Sequence, residues 1–282
     1  MSATLPRSYL FVPGNRPERF EKAHAAGADA VILDLEDAVQ PDEKPLAREA
    51  VLSAVSTHAV RPAWVRINSP DTTWFGDDVA ALVGMAGVAG IVLPKAESPT
   101  QIAEVVARLG RDVAVFALVE SARGVRDAAA IAGSEHVDRI MFGNLDFSLD
   151  SGISVRSEDE RELLFARSAI VVASRAARLP GPIDGVQPEI DNDPLTTAST
   201  RRAADLGFTG KLCLHPRQVA VVEEAFAPSD DEVEWATRVV DQAGSSEGAA
   251  VRVDGAMIDQ PRLELARRIL HRVEPTRPAS SP

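Results

Sequence analysis

Acidic side chains follow several apolar runs in this sequence, each at the point where a predicted strand ends. Glu120 closes the apolar run 113–119, and Asp146 comes shortly after the run 139–142. Neither has a histidine or cysteine beside it in the chain. Carboxylate oxygens without soft ligands suit Mg²⁺ or Mn²⁺ better than zinc. The sequence therefore predicts Glu120 and Asp146 as ligands of Mg²⁺, with Mn²⁺ as an alternative.

Arg66 lies near the end of another apolar run, residues 63–67. The planar guanidinium of an arginine can bind both oxygens of a carboxylate at once. An arginine beside a metal ion suits a 2-oxo acid, whose carboxylate and ketone oxygens chelate the ion. The ion in turn polarises the ketone. These residue types predict metal-dependent chemistry on a 2-oxo acid.

Other polar residues at strand ends admit two interpretations. Asp34, Asp37 and Asp184 could simply cap the helices that follow them, because aspartate is a favoured N-cap residue. His215 could anchor a loop as readily as act as a base. We nevertheless retain Asp37 as a catalytic candidate.

Lys95 also follows an apolar run, and it could form an ion pair with Glu36 or with Glu97. Phe11 and Gly143 occupy strand-end positions as well. We therefore count both of these as candidates for binding substrate.

Short apolar runs alternate with segments of helical periodicity, which is typical of βαβ units and a parallel sheet. The predicted strands are 9–12, 30–33, 63–67, 90–93, 113–119, 139–142, 182–183 and 211–214. Eight such units favour an α/β fold of the TIM (β/α)8 barrel type, in which the strand ends converge on one face. An open, doubly wound sheet is the rival, but no glycine-rich phosphate turn follows the first strand.

The chain continues beyond the eighth unit. We assign residues 1–228 to the barrel and residues 229–273 to a C-terminal helical extension or lid. A small-residue linker spans 244–248 within this extension. Residues 274–282 are rich in proline and serine, and we expect them to be disordered.

Composition narrows the class of protein. The chain of 282 residues is 45% hydrophobic but only 5% aromatic, so aliphatic side chains must fill the core. The single cysteine, Cys213, excludes a disulfide scaffold and is expected to be a small buried thiol. No long uncharged apolar run could span a membrane, and the first residues lack signal-peptide organisation. We expect a cytoplasmic protein.

A formal net charge of −12 argues against a broad nucleic-acid surface. It leaves an anionic ligand open, because binding depends on local charge. Arg7, Arg16, Arg19 and Lys22 are close together near the N-terminus.

Taken together, the strand-end motifs resemble the citrate lyase β-subunit-like (CitE-like) family of the HpcH/HpaI aldolase superfamily. The resemblance runs from about Arg7 to Leu270. It is carried by the stretches 7–14, 29–39, 65–68, 93–97, 118–124, 142–146 and 210–216. This family resemblance implies a TIM barrel that assembles into homotrimers or hexamers.

The resemblance also implies roles for individual residues. Glu120 and Asp146 match the metal ligands, and Arg66 matches the arginine that binds the oxo acid. Arg16 and Lys22 match basic residues that contact coenzyme A. The implied reaction is reversible cleavage of a β-hydroxyacyl-CoA, such as malyl-CoA or citramalyl-CoA, to acetyl-CoA and a 2-oxo acid.

In relatives, a C-terminal tail with a Met-Ile-Asp signature closes over a neighbouring subunit's site and supplies a catalytic aspartate. Asp259 is the matching residue here. It could instead cap the helix that begins near Pro261.

Three alternatives to this activity stay open at the sequence level. The first is an aldolase that acts on a free hydroxy-oxo acid. The second is a citrate lyase β subunit that acts on an acyl-carrier-protein thioester. The third is a catalytically silent barrel, against which the set of Arg66, Glu120 and Asp146 argues.

Overall fold

The computed structural model describes residues 5–56, 62–244, 251–253 and 256–273. Within these residues, eight parallel strands form a closed barrel in chain order. The strands are β1 (Ser8–Pro13), β2 (Ala30–Asp34), β3 (Ala63–Arg66), β4 (Val88–Leu93), β5 (Val115–Val119), β6 (Val137–Phe142), β7 (Ile183–Asp184) and β8 (Gly210–Cys213). The predicted TIM barrel is confirmed, and the open sheet is excluded.

Helices surround the barrel and continue beyond it. Those in the described part of the chain are α1 (Phe20–Ala25), α2 (Lys44–Ser56), α3 (Phe75–Ala81), α4 (Pro99–Leu109), α5 (Ala122–Arg126), α6 (Ala128–Ala132), α7 (Asn144–Ser151), α8 (Leu164–Ala176), α9 (Asp193–Leu206), α10 (Pro216–Phe226), α11 (Asp230–Gly244) and α12 (Gln260–His271). None of the described helices is long and apolar enough to cross a bilayer. Helix α7 was not predicted, and it carries a candidate metal ligand.

Two apolar layers hold the barrel together, because alternate residues of a strand point to opposite faces. One layer fills the barrel interior and consists of Tyr9, Ile32, Val92, Phe116, Leu118, Met141, Ile183 and Leu212. The other layer packs the outer faces of the strands against the helices. Cys213 belongs to this outer layer and is fully buried, as predicted. Burial raises the pKa of its thiol to about 12, so it stays protonated at neutral pH.

The elements after α10 form their own apolar cluster. Helices α11 and α12 pack with an antiparallel hairpin of β9 (Val251–Val253) and β10 (Ala256–Ile258), which was not predicted. Their shared core consists of Ala236, Val239, Ile258, Ala266 and Ile269. A cleft of about 1500 Å³ lies between α12 and helices α8 to α10. The boundary between the barrel (residues 1–228) and the C-terminal extension (residues 229–273) remains our proposal.

Some predicted features lie outside the described residues. These features are the predicted small-residue linker, at positions 245–248, and the predicted disordered tail, at positions 274–282.

Candidate active site

Glu120 follows β5 directly and is only 3% exposed. The main-chain N–H of Lys95 donates to its Oε1 at 2.8 Å. Its second carboxylate oxygen lies against Gly143, where an added Cβ would come within 2.4 Å of Oε2. The side chain is therefore held from two sides at the end of its strand.

Asp146 reaches the same site from the first turn of α7, which begins directly after β6. Asn144 fixes the start of this helix: its Nδ2 donates to the Val186 carbonyl at 3.1 Å, and its Oδ1 accepts from the Val186 N–H at 3.0 Å. Asp146 and Glu120 both line a cavity of about 200 Å³ at the barrel mouth. The predicted convergence of these two carboxylates is therefore present in the structure.

Arg66 is buried, and carboxylates of its own chain already surround it. Its Nε and Nη2 donate to the two oxygens of Asp34 at 2.7 and 2.6 Å. Its Nη1 lies 3.0 Å from Oε2 of Glu36, and its guanidinium lies over the ring of Phe11 at 4.5 Å. Each terminal nitrogen carries a second N–H that can bind a further carboxylate. The sequence did not indicate that Asp34 and Glu36 would hold this arginine.

Lys95 takes the first of its two predicted partners. Its ammonium lies 3.4 Å from Oε1 of Glu36. Glu97 instead accepts a hydrogen bond from Ser121 at 2.6 Å and lies 3.4 Å from Arg123. Glu36 thus lies between two cations, of which Arg66 lines the cavity.

The remaining strand-end candidates separate into two groups. Phe11, Gly143 and the exposed Asp37 line the cavity. Asp184 does not line it, because the side chain pairs with Arg167 and Lys211 at 2.8 and 2.9 Å. His215 caps α10 and accepts from the Arg217 N–H, which is the loop-anchoring role.

Three further predicted residues lie outside the cavity lining. Arg16 is exposed and pairs with Glu18 at 2.7 Å, and Lys22 is exposed on α1. Asp259 is the N-cap of α12 and accepts from the Arg262 N–H at 3.1 Å. Within one chain, Asp259 therefore has the capping role, and its catalytic role stays a prediction.

Negative charge accumulates where the carboxylates meet. Burial raises the pKa of Glu120 to about 8, and the charges of Glu36 and Asp146 add to this effect against that of Arg66. Burial and the charge of Asp37 also raise the pKa of Asp146. Burial raises the pKa of Glu36 to about 7. A bound cation would favour the ionised forms of these carboxylates.

The two carboxylates of Glu120 and Asp146 suit Mg²⁺ better than an ion that takes all of its ligands from the protein. No group of three or more His, Cys, Asp or Glu side chains in the described residues is arranged to hold a metal. Mg²⁺ commonly takes one or two carboxylates and completes its shell with water and substrate oxygens. Glu120 and Asp146 meet that requirement, and the adjoining cavity leaves room for a substrate.

Comparison with known proteins places this site in a family. A model of the HpcH/HpaI aldolase/citrate lyase family matches residues 7–216. The chain belongs to this family. Within it, the chain is 40% identical over 269 residues to a citrate lyase subunit beta-like protein of Mycobacterium tuberculosis, with 94% of each chain covered. The family resemblance seen in the motifs is thereby confirmed.

Two other relatives in the family carry more specific names. A (3S)-malyl-CoA thioesterase of Cereibacter sphaeroides is 35% identical over 274 residues, which cover 95% of this chain and 94% of that protein. A crystal structure of CitE from M. tuberculosis in complex with magnesium, acetoacetate and coenzyme A superimposes with a TM-score of 0.84. It is 37% identical and covers 96% of this chain and 98% of its own.

The raised pKa of Glu120 gives this family member a testable pH dependence. Below pH 8 the carboxyl holds a proton that Mg²⁺ must displace. Apparent Mg²⁺ affinity should therefore rise by up to about tenfold per pH unit up to about pH 8 and then level off. The folded-state pKa lies above the ordinary value of 4.5, so metal-free stability should fall as pH rises from 4.5 through about 8.

Calorimetric titration with Mg²⁺ and thermal unfolding of the metal-free protein, each at several pH values, measure the two trends. The Glu120→Gln variant is the control for the unfolding series, because it lacks the titrating group. A Mg²⁺ affinity that does not change between pH 6 and pH 8 would contradict this assignment.

Proposed function

We propose that this protein is a Mg²⁺-dependent carbon–carbon lyase. It reversibly cleaves a β-hydroxyacyl-CoA of the malyl-CoA or citramalyl-CoA type to acetyl-CoA and a 2-oxo acid. The observation that carries the proposal is the meeting of Glu120, Asp146 and Arg66 in one cavity at the barrel mouth. The coenzyme A and magnesium bound by the M. tuberculosis structure support it.

Arg66 binds the carboxylate of the 2-oxo acid portion through the N–H groups not used by Asp34. Mg²⁺ held by Glu120 and Asp146 would supply Lewis-acid polarisation of the neighbouring oxygen. Asp37 lines the cavity and is exposed, so it is placed to accept the proton of the β-hydroxyl group.

Loss of the hydroxyl proton turns the β-carbon into the carbonyl carbon of the 2-oxo acid, an aldehyde from malyl-CoA or a ketone from citramalyl-CoA, as the bond between Cα and Cβ breaks. The electron pair of that bond moves to the acetyl fragment as an enolate, which a thioester tolerates better than an oxygen ester. A proton delivered to the enolate carbon completes acetyl-CoA. In the proposed mechanism Asp259 of a neighbouring subunit donates this proton after the lid has excluded water.

The proposed assembly is a homotrimer or hexamer. Met257 is 70% exposed two residues before Asp259, and Leu149 is 82% exposed on α7, the helix whose first turn lines the cavity. Phe165 and Val172 on α8 are 79% and 67% exposed. Single exposed apolar side chains are common on monomers. In the proposed assembly, those on the lid, α7 and α8 are the side chains that contact between subunits would bury.

Arg16 and Lys22 are the proposed contacts for coenzyme A. Both are exposed and lie on the segment that follows β1. The main-chain N–H of Arg16 donates to the carbonyl of Pro13, the last residue of β1, at 3.0 Å. This bond keeps the arginine at the same end of the barrel as the cavity.

A panel of substrates tests the proposed reaction. Malyl-CoA or citramalyl-CoA should be cleaved in the presence of Mg²⁺, whereas free malate, citramalate and citrate should not. Faster turnover of a free hydroxy acid would favour an aldolase. Turnover only of an acyl-carrier-protein thioester would favour a citrate lyase subunit.

Product analysis in the same assay separates cleavage from hydrolysis, the reaction in the name of the C. sphaeroides relative. A lyase yields acetyl-CoA and a 2-oxo acid, whereas a thioesterase yields free coenzyme A and a hydroxy acid. Initial formation of free coenzyme A without acetyl-CoA would contradict the proposed function.

Replacing Arg66 with lysine should separate recognition of the two products. Lysine keeps the positive charge but loses the planar fork that grips Asp34 and the oxo acid. Binding of the 2-oxo acid should weaken by about 100-fold, whereas acetyl-CoA binding should change little. Calorimetry with each product in saturating Mg²⁺ measures both. Equal weakening of the two would show that Arg66 is structural or contacts the coenzyme.

A further inference from the structure

Lys95 contacts both the proposed metal ligand Glu120 and the Glu36 carboxylate beside Arg66. Its main-chain N–H donates to Glu120 Oε1 at 2.8 Å, and its ammonium lies 3.4 Å from Glu36 Oε1. Its backbone φ is +48°, in the left-handed region that most side chains avoid. Glycine would adopt this backbone more easily. His136, Glu160 and Arg178 have similar backbone angles, so the contacts of the Lys95 side chain must show what it contributes.

The charges around Arg66 show what the lysine side chain contributes. The guanidinium faces two buried carboxylates, because Asp34 accepts two hydrogen bonds from it and Glu36 lies 3.0 Å from Nη1. One cation opposite two carboxylates would leave net negative charge where an anionic substrate must bind. The ammonium of Lys95 adds the second cation and balances the pair.

Lys44 does not replace Lys95 in this role. Its ammonium also approaches the segment after β2, but it donates to the main-chain carbonyls of Leu35 and Glu36 at 2.9 and 3.0 Å. The Glu36 carboxylate faces Lys95 and Arg66 instead.

We propose that Lys95 is a positioning residue that neutralises Glu36 and thereby leaves Arg66 able to bind the carboxylate of a 2-oxo acid. The proposal rests on the proposed function for the identity of that ligand. It assigns Lys95 no contact with the reacting atoms.

Binding of pyruvate to the full chain in saturating Mg²⁺ tests this role without turnover. Lys95→Met should weaken pyruvate binding by about tenfold, the effect of removing one unit charge from a partly solvated site. Lys95→Arg should bind nearly as well as the parent. Lys95→Gly relieves the backbone but lacks the ammonium, so it should lose as much affinity as Lys95→Met. Arg123→Met removes a neighbouring surface cation and should have no effect.

A second substitution distinguishes charge balance from a general structural role. Glu36→Gln in the Lys95→Met background removes the unbalanced carboxylate, and it should restore pyruvate affinity to within about threefold of the parent. Failure of this rescue, or parent-like binding by Lys95→Gly, would overturn the role of Lys95 alone. Absence of binding of both pyruvate and glyoxylate, the 2-oxo acids released from citramalyl-CoA and malyl-CoA, by the parent chain with Mg²⁺ would overturn the proposed function instead.

Discussion

Chelation of divalent metal is expected to abolish cleavage, and Mg²⁺ should restore it. Glu120→Ala and Asp146→Ala should each lower turnover by about 1000-fold, because the Lewis-acid contribution of a metal amounts to several kcal/mol. Both variants should remain folded, since the substitutions remove carboxyls whose ionisation burial disfavours. Steady-state assays after treatment with EDTA, together with Mg²⁺ titrations of each variant, measure the effect.

A matched control for this experiment is Asp184→Asn, which removes a carboxylate that does not line the cavity. It should lower thermal stability, because Arg167 and Lys211 would lose their shared partner. Mg²⁺ affinity of the folded protein should not change. Full lyase activity of the unmodified chain after exhaustive chelation would refute the metal site.

Asp259→Asn is expected to lower kcat by about 100-fold or more, the usual contribution of a general acid–base group. Asparagine caps a helix about as well as aspartate, so the start of α12 should remain intact. Oligomeric state, Mg²⁺ binding and thermal stability should therefore stay close to those of the parent. Rapid-mixing kinetics with malyl-CoA or citramalyl-CoA measure the loss.

Mixed oligomers test whether this residue acts across subunits. Asp259→Asn subunits combined with Glu120→Ala subunits should regain part of the activity, because some sites would contain an intact Glu120 and an intact neighbouring Asp259. Asp254→Asn is the control within the same tail; this residue lies outside those the structure describes. Normal turnover by the Asp259→Asn protein would show that the tail contributes packing and no catalytic group.

Sequence patterns predicted the barrel because strand-length apolar runs alternate with helical periodicity along the whole chain. They also predicted the meeting of Glu120, Asp146 and Arg66, since the carboxyl ends of barrel strands share one face. Helix α7 escaped prediction because it is short and its sequence, NLDFSLDS, is largely polar. The hairpin after α11 escaped for a similar reason, as each of its strands has only three residues.

The ion pairs within the site could not be predicted from the spacing of their residues along the sequence. Asp34 and Arg66 are paired because β2 and β3 align them as neighbours in the parallel register, and that register depends on the closed barrel. The contact between Lys95 and Glu36 likewise joins residues on separate loops. The proposed role of Asp259 presents a different difficulty, because the structure of a single chain shows only its capping contact and not what it would meet on another subunit.

The tight approach of Gly143 to Glu120 has an evolutionary consequence. The backbone there, with φ −90°, accepts any ordinary residue. An alanine methyl group would nevertheless lie 2.4 Å from Oε2 of Glu120 and 2.5 Å from its Cβ. Because the Cβ of Glu120 cannot rotate away as its carboxylate can, strands β5 and β6 would have to shift, and the carboxylate would be displaced with them. A single base change in this codon would thus both misplace the Glu120 carboxylate and strain the barrel. Among gene duplicates of this chain, a residue other than glycine at position 143 would mark copies that have lost the Glu120 site.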